Sequence, residues 1–194
     1  MNLDLDIRCG WPDDLRLFLD RYPRDVWSSH ANLGERIRFW LGVHGGFRDV
    51  GASLQSATLD FREGLVTPER FRHWFAPRLR YLLSHLHTHH QIEDLEYFPI
   101  LTAAEPRLAK GFETLETDHH AIHETIAALA EAANAFLSIE ANDRDRLLLV
   151  GDCYADASDK LIKQLMRHLD DEEDLIVPLV LDRGEGPLGI SRHI

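Results

Sequence analysis

The sequence lacks the patterns that mark disulfide-bonded, secreted or membrane-spanning proteins. Only two cysteines are present, Cys9 and Cys153, and neither belongs to a C-x-x-C motif, so the sequence suggests neither a disulfide framework nor a thiolate metal site. No run of about 18 apolar residues predicts a transmembrane helix. The N-terminal residues lack the basic and apolar regions of a secretory signal. These absences predict a cytoplasmic protein with reduced thiols.

Basic residues are also scarce, with 21 lysines and arginines against 33 aspartates and glutamates, and the formal net charge is −12. Nucleic acids and anionic membrane surfaces are bound through basic patches. We therefore expect neither as a partner, and no motif in the sequence identifies a protein partner.

The alternation typical of half-buried strands is absent over any convincing length, whereas apolar residues recur at helical spacing along most of the chain. We predict an all-α fold, with an up-down-up-down four-helix bundle over residues 28–180. Residues 1–27 are predicted to form an extension with one short helix, Trp11 to Tyr22, and residues 181–194 an irregular tail. The first long helix is predicted to run from Ser28 or Ser29 to about Glu63. The second is predicted to start at Pro77, after a short helix ending near Phe75, and to bend or stop at Pro99. The third is predicted to run from Pro106 to a turn at 141–143, and the fourth from there to about Val177.

Histidine is the compositional anomaly, because 12 are present and several are clustered in residues 85–90 and 119–123. Such clusters are typical of metal binding, although a solvent-exposed tract is an alternative. The strongest pattern is a repeat in which His89 and Glu93 have the same spacing as His168 and Glu172. Side chains four residues apart share a helix face, with Cβ atoms roughly 6 Å apart, so each pair can reach one cation.

The same helix faces carry leucines upstream of each pair, at helical spacing, which predicts that the His and Glu side chains are buried. Burial of such groups is costly unless they are paired or bind a metal. The first helix adds a lone histidine to its apolar face, which could equally be a hydrogen-bonded core residue, and the third helix adds two histidines four residues apart. The candidate metal ligands are His44, His89, Glu93, His119, His123, His168 and Glu172.

Imidazole and carboxylate ligands without thiolate suit iron, and also zinc, copper, nickel or manganese. If two octahedral metals shared this set, with both carboxylates and an oxide or hydroxide bridging them, one coordination position would stay open. A single small ligand such as dioxygen, peroxide or nitric oxide would fit that position. The surplus histidines, His85, His87, His90 and His120, are expected to face solvent or to support the ligands.

The chain resembles the hemerythrin-like (HHE cation-binding) domain over roughly residues 30 to 180. The motifs that carry the resemblance are the lone His44, His89-x-x-x-Glu93 followed by Phe98-Pro99, Asp118-His119-x-x-x-His123, and His168-x-x-x-Glu172 followed by Pro178. The resemblance implies a non-haem diiron centre in which Glu93 and Glu172 bridge and the five histidines are terminal ligands. Oxygen-carrying members place an Asp five residues after the last histidine, whereas this chain has Glu172 at the fourth position and Glu173 at the fifth. The repeat favours Glu172, and Glu173 remains an alternative.

We expect a metal-binding protein that takes up dioxygen, peroxide or nitric oxide for sensing or storage. A diiron oxidoreductase, of the peroxidase or nitric oxide reductase and repair type, is an alternative, and so is a regulatory module stabilised by zinc or another divalent metal. No separate acid–base pair is visible near the ligands, so a binding protein is favoured over an enzyme and no catalytic residue is predicted.

Overall fold

A computed structural model describes residues 3–140 and 143–190, and these residues contain helices and turns but no strand. The predicted all-α class is confirmed, and the helices are consistent with a bundle, while the up-down order stays a prediction. The helices are α1 (Arg24–Trp27), α2 (Glu35–Arg62), α3 (Pro68–Ile92), α4 (Phe98–Ala104), α5 (Ala109–Ser138) and α6 (Arg144–Arg183), with a π-helical turn at Glu93–Tyr97 and a 3-10 turn at Pro106–Leu108. None of the helices in this part of the chain is both long and apolar enough to cross a membrane.

The chain divides into two compact units. The first comprises Met1–Gly45, His89–His120 and Met166–Ile194. Its core is built from side chains of the N-terminal segment, α2, α4, α5 and α6, which include Trp11, Phe18, Ile37, Phe98, Leu115 and Val177. Burial of each such side chain contributes about 2 kcal/mol.

The second unit comprises Gly46–Thr88 and Ala121–Leu165. Its interior is aromatic, with Phe75 and Tyr154 at a centroid distance of 4.4 Å and Phe61 stacked on Phe71 at 4.7 Å. Gly151 of α6 lies against the rings of Phe61 and Phe136, and a Cβ atom added there would overlap Phe61. The glycine is therefore required by close packing inside a helix.

The predicted helix from Trp11 to Tyr22 is wrong, because this segment forms successive turns and the only short helix near it is α1. Trp11, Leu15 and Phe18 are buried as their spacing predicted. The Trp11 indole N–H donates to the Asp171 carbonyl at 2.6 Å, which joins the segment to α6, while the backbone hydrogen bonds within the segment form turns and not a continuous helix. In this segment the spacing of apolar residues therefore predicted correctly which side chains are buried but did not predict the backbone conformation.

The start of α2 also differs, since the helix begins at Glu35 and not at Ser28 or Ser29. The Ile37 N–H near its N-terminus donates to Glu185 Oε1 at 2.9 Å. Gly34 leaves the room that this carboxylate occupies, because a Cβ atom there would overlap it. Because the capping residue Glu185 is distant in the sequence, the residues around Glu35 do not indicate that a helix begins there. The adjacent Gly45 and Gly46, by contrast, have nothing within 4 Å of an added Cβ, so close packing does not explain them.

Two prolines predicted to end helices lie inside them. Pro77 is internal to α3 and Pro178 is internal to α6, which continues to Arg183. An internal proline costs about 3 kcal/mol. Buried apolar side chains on each side offset that cost, namely Phe75 and Leu82 around Pro77 and Leu175 and Leu179 around Pro178. The predicted turn at 141–143 falls largely on residues 141–142, and the tail partly on 191–194, both outside the described residues.

Candidate metal centre

Two groups of potential metal ligands lie within the first unit, and in each group the ligand atoms are within 4.8 Å of one another. The first group takes one residue from α2, one from α3, one from the π-helical turn and one from α6: His44, His89, Glu93 and Glu172. The second takes one residue each from α3, α5 and α6: His90, His119 and His168. The His89 side chain is 10% exposed, and the other six residues are buried.

In the first group the potential ligand atoms lie close together. His44 Nε2 lies 3.0 Å from His89 Nε2, and His89 Nε2 lies 3.0 Å from Glu93 Oε1. The Trp40 indole N–H donates to the same Glu93 oxygen at 2.7 Å, and the indole stacks obliquely on the His44 ring at 3.9 Å. Trp40 therefore fixes both a carboxylate and an imidazole of this group.

The second group is a packed set of imidazoles. His119 Nε2 lies 3.1 Å from His168 Nε2. The His90 ring is stacked on His119, with centroids 3.9 Å apart, and meets His168 edge-on at 5.4 Å. Burial, followed by the neighbouring imidazoles, lowers the pKa of His90 well below its usual value, and burial lowers the pKa of His168 to about 4. Both rings are therefore neutral at pH 7, which is the form that binds a metal.

Glu93 and Glu172, which belong to the first group, also lie close to histidines of the second group. Glu93 Oε1 is beside His89, while its Oε2 is 3.7 Å from His119 Nε2. Glu172 Oε2 is 3.5 Å from His44 Nε2 and 3.7 Å from His168 Nε2. Each carboxylate can therefore reach a cation held by either group.

These carboxylates also have unused oxygen atoms. Glu93 Oε2 and both oxygens of Glu172 are buried and accept no hydrogen bond from a described residue. Burial and the negative charge of Glu93 raise the pKa of Glu172 well above its usual value. Burial would also raise the pKa of Glu93, but the charge of His89 and the hydrogen bonds of His44 and His89 hold it well below its usual value. Unsatisfied buried oxygens beside imidazoles fit a metal cation, which would satisfy them.

Three further carboxylates lie behind the histidines, at their Nδ1 atoms. Glu173 Oε1 is 3.0 Å from His44 Nδ1, and Asp94 Oδ1 is 2.7 Å from His119 Nδ1. Asp118 Oδ2 is 3.5 Å from His168 Nδ1. Carboxylates in this position orient metal-binding imidazoles and strengthen them as donors.

The π-helical turn contains the adjacent residues Glu93 and Asp94, of which Glu93 lies close to histidines of both ligand groups and Asp94 to a histidine of the second. The Phe98 N–H donates to the Glu93 carbonyl, five residues back, which adds one residue to the turn. Glu93 then lies between the ligand groups while Asp94 reaches the His119 ring. Single π turns inside helices are frequent at functional sites.

Six of the seven sequence-predicted ligands are brought together in these groups, and the seventh, His123, is not. Its ring packs edge-on against His87 at 5.1 Å. The second group instead contains His90, whose predicted place was in solvent or in support of the ligands. The available signal was its spacing, because Leu82, Leu86 and His90 recur every four residues and all three are fully buried. His85, His87 and His120 are exposed, as predicted.

An all-helical protein with buried groups of imidazoles and carboxylates is a candidate metal-binding helical protein. The sequence profile of the Hemerythrin HHE cation binding domain matches residues 35–180, so the chain belongs to this family, and the resemblance stated above is confirmed. Membership implies that the protein binds metal cations. No curated protein and no solved structure matches the chain.

Proposed function

We propose that the protein binds two iron ions as a non-haem diiron centre and uses it to take up dioxygen, peroxide or nitric oxide for sensing or storage. The observation that carries this proposal is the position of Glu93 and Glu172. Each has a carboxylate oxygen within 4 Å of a histidine Nε2 in the first group and of another histidine Nε2 in the second. Carboxylates that bridge a metal pair need this arrangement, whereas a site for one metal does not.

In this proposal each ligand residue has a defined role. His44 and His89 hold one ion, His119 and His168 hold the other, and the two glutamates span both. The geometry supports His90 as the third imidazole of the second ion, while His123 stays a prediction from sequence. The bound iron would supply the redox chemistry and the binding position for the small molecule.

The chain's own residues favour reversible binding over strong oxidation. Neutral imidazoles, which outnumber the carboxylates among the proposed ligands, place less negative charge on the metals than a carboxylate-rich set does. Less negative charge disfavours strongly oxidised iron by electrostatics. Burial of the ligands excludes water, which would otherwise compete for the same position.

The test is elemental analysis and visible absorption of protein purified from iron-supplemented cells. We expect about two irons per chain and a spectrum that changes reversibly when the reduced protein meets dioxygen or nitric oxide. His119→Ala should abolish the change, and His120→Ala is the matched control because its exposed ring lies one residue away. A zinc-only protein, an unchanged spectrum, or sustained turnover of peroxide or nitric oxide would overturn the binding function.

A further inference from the structure

Resting on the diiron proposal, we infer that Arg8 and Arg24 are positioning residues of the metal centre. Both lie in the N-terminal segment, before the matched family domain begins at residue 35. Each arginine clamps the carboxylate behind one histidine, and the two histidines belong to different ligand groups. The N-terminal segment thereby supplies one positive charge to each half of the centre.

The first clamp is completely buried. The Arg8 guanidinium donates to both oxygens of Asp118, at 3.2 Å to Oδ1 and in a shorter contact to Oδ2. Asp118 in turn faces His168 Nδ1. Arg8 Nε also donates to Asp171 Oδ2 at 2.7 Å, which anchors the arginine on α6 beside the ligand. The side-chain exposure of Arg8 is 0% and that of Asp118 is 2%, so solvent does not screen this charge.

The second clamp repeats the arrangement with different residues. Arg24 Nη1 donates to Glu173 Oε2 at 3.1 Å, and the other oxygen of Glu173 faces His44 Nδ1 at 3.0 Å. Further bonds from Arg24, to Asp174 Oδ1 at 2.7 Å and to the Asp170 carbonyl at 2.9 Å, hold the guanidinium in place. The Arg24 side chain is 43% exposed, so its charge acts more weakly than that of Arg8.

Other arginines of the same segment make ion pairs that do not involve a ligand histidine. Arg21 Nη1 contacts Asp182 Oδ1 at 2.9 Å, which also joins the segment to α6. This pair provides a matched control, because it shares the segment, the partner helix and the type of contact. It differs in having no link to a ligand histidine and in being more exposed, since the Arg21 side chain is 64% exposed and that of Arg24 is 43% exposed.

Loss of either arginine should change the reduction potential of the metal in one direction. A carboxylate at Nδ1 makes an imidazole a stronger donor, and a guanidinium on that carboxylate restrains both its charge and its orientation. Removal of the arginine leaves the histidine facing an uncompensated negative charge. That charge stabilises the more positive, oxidised metal, so the reduction potential should become more negative.

The experiment compares Arg24→Met, Arg8→Lys and the control Arg21→Met in the full chain. Arg8→Lys keeps the buried charge but loses the fork of donors, which protects the fold while it loosens Asp118. The readouts are metal affinity, measured by competition with a chelator for both ferrous iron and zinc, the reduction potential of the iron form, and the melting temperature of the metal-free protein.

We expect Arg21→Met to match the wild type in affinity and potential. Arg24→Met should shift the potential to a more negative value, and Arg8→Lys should lose metal affinity by roughly 10- to 100-fold, the range for residues that support metal ligands. The inference is overturned if both variants match Arg21→Met, or if affinity falls only in proportion to the melting temperature.

The zinc measurement separates this inference from the diiron proposal. If the wild type binds zinc but not iron, the diiron function fails while the zinc affinities of the variants still decide the role of the arginines. If the wild type binds neither metal, both proposals fail.

Discussion

Glu172 and Glu173 are neighbours in the sequence but differ in role, because successive helical residues point about 100° apart. Glu172 lies among the imidazoles, while Glu173 lies behind His44. We predict that Glu172→Gln binds about one metal per chain or none, since a carboxamide is a weak ligand. Glu173→Gln should keep both metals with roughly 10- to 100-fold lower affinity. Equilibrium dialysis with elemental analysis measures both, and the reverse order would assign the ligand role to Glu173.

The second prediction concerns the third imidazole of the second group. His90 is fully buried against His119 and His168, whereas His123 packs on His87. We expect His90→Ala to lower metal affinity more than His123→Ala, as judged by chelator competition. A larger loss from His123→Ala would mean that metal binding reorganises this group towards the ligand set predicted from the sequence.

At the residue scale the sequence predicted the site well where the pattern was a repeat. His89, Glu93, His168 and Glu172 were recognisable because two helices carry the same spacing. His90 was missed because the repeat selected His89, which lies three residues after Leu86, although His90 lies four residues after Leu86 and is also fully buried. The carboxylates behind the histidines could not be assigned, since their roles depend on contacts between elements distant in sequence.

At the element scale the helix types were predictable but several boundaries were not. The π-helical turn depends on one backbone bond from Phe98 to Glu93, and the cap of α2 depends on Glu185, so neither has a local signature. The helix boundaries predicted at Pro77 and Pro178 were wrong because proline normally ends a helix. Here the helices are held by buried side chains on either side of each proline.

Two glycines inside helices allow the energetic cost of crowding a packed core to be compared with the gain from a better helix former. Gly151→Ala places a methyl group against Phe61 and Phe136, so we expect a loss of about 1–3 kcal/mol in the free energy of unfolding. Gly46→Ala meets nothing within 4 Å and should gain about 0.5–1 kcal/mol from its better helix propensity. Urea denaturation measures the free energy of unfolding of both variants. A gain for Gly151→Ala as well as for Gly46→Ala would show that the Phe61 ring moves aside.

Glu105 joins the end of α4 to the end of α6. Its carboxylate accepts from Arg107 Nε at 2.7 Å and also contacts Arg183. The Arg107 hydrogen bond contributes most to a pKa of Glu105 below its usual value of 4.5. Because the folded pKa is lowered, the stabilisation is present above pH 4.5 and is lost as the pH falls through the folded value.

Glu105→Gln should therefore lower the free energy of unfolding by about 1 kcal/mol at pH 7, and this difference should disappear on acidification. Urea titrations at a series of pH values measure the effect. A difference that persists below the folded pKa would show that the ionised form is not what stabilises this joint.

At the scale of the whole molecule, metal binding should be linked to folding. A bound cation satisfies the oxygens of Glu93 and Glu172 that are buried without a hydrogen bond, and an unfolded chain cannot hold them together. A metal at a hundredfold excess over its dissociation constant contributes about 2.7 kcal/mol. For a chain of this size this corresponds to roughly 5–10 °C in melting temperature. Calorimetry before and after chelation measures the shift, and identical melting curves would argue against a metal in this centre.

The contacts of Arg8 and Arg24 also constrain when the centre can mature during folding. Arg8 meets partners 110 and 163 residues further along the chain, and Arg24 meets one 149 residues further. Contacts across such separations close large loops and form late. The N-terminal segment can dock only after α6 has formed. An ion captured before that step would meet histidines whose supporting carboxylates are still loose, so tight loading follows the docking of this segment on α6.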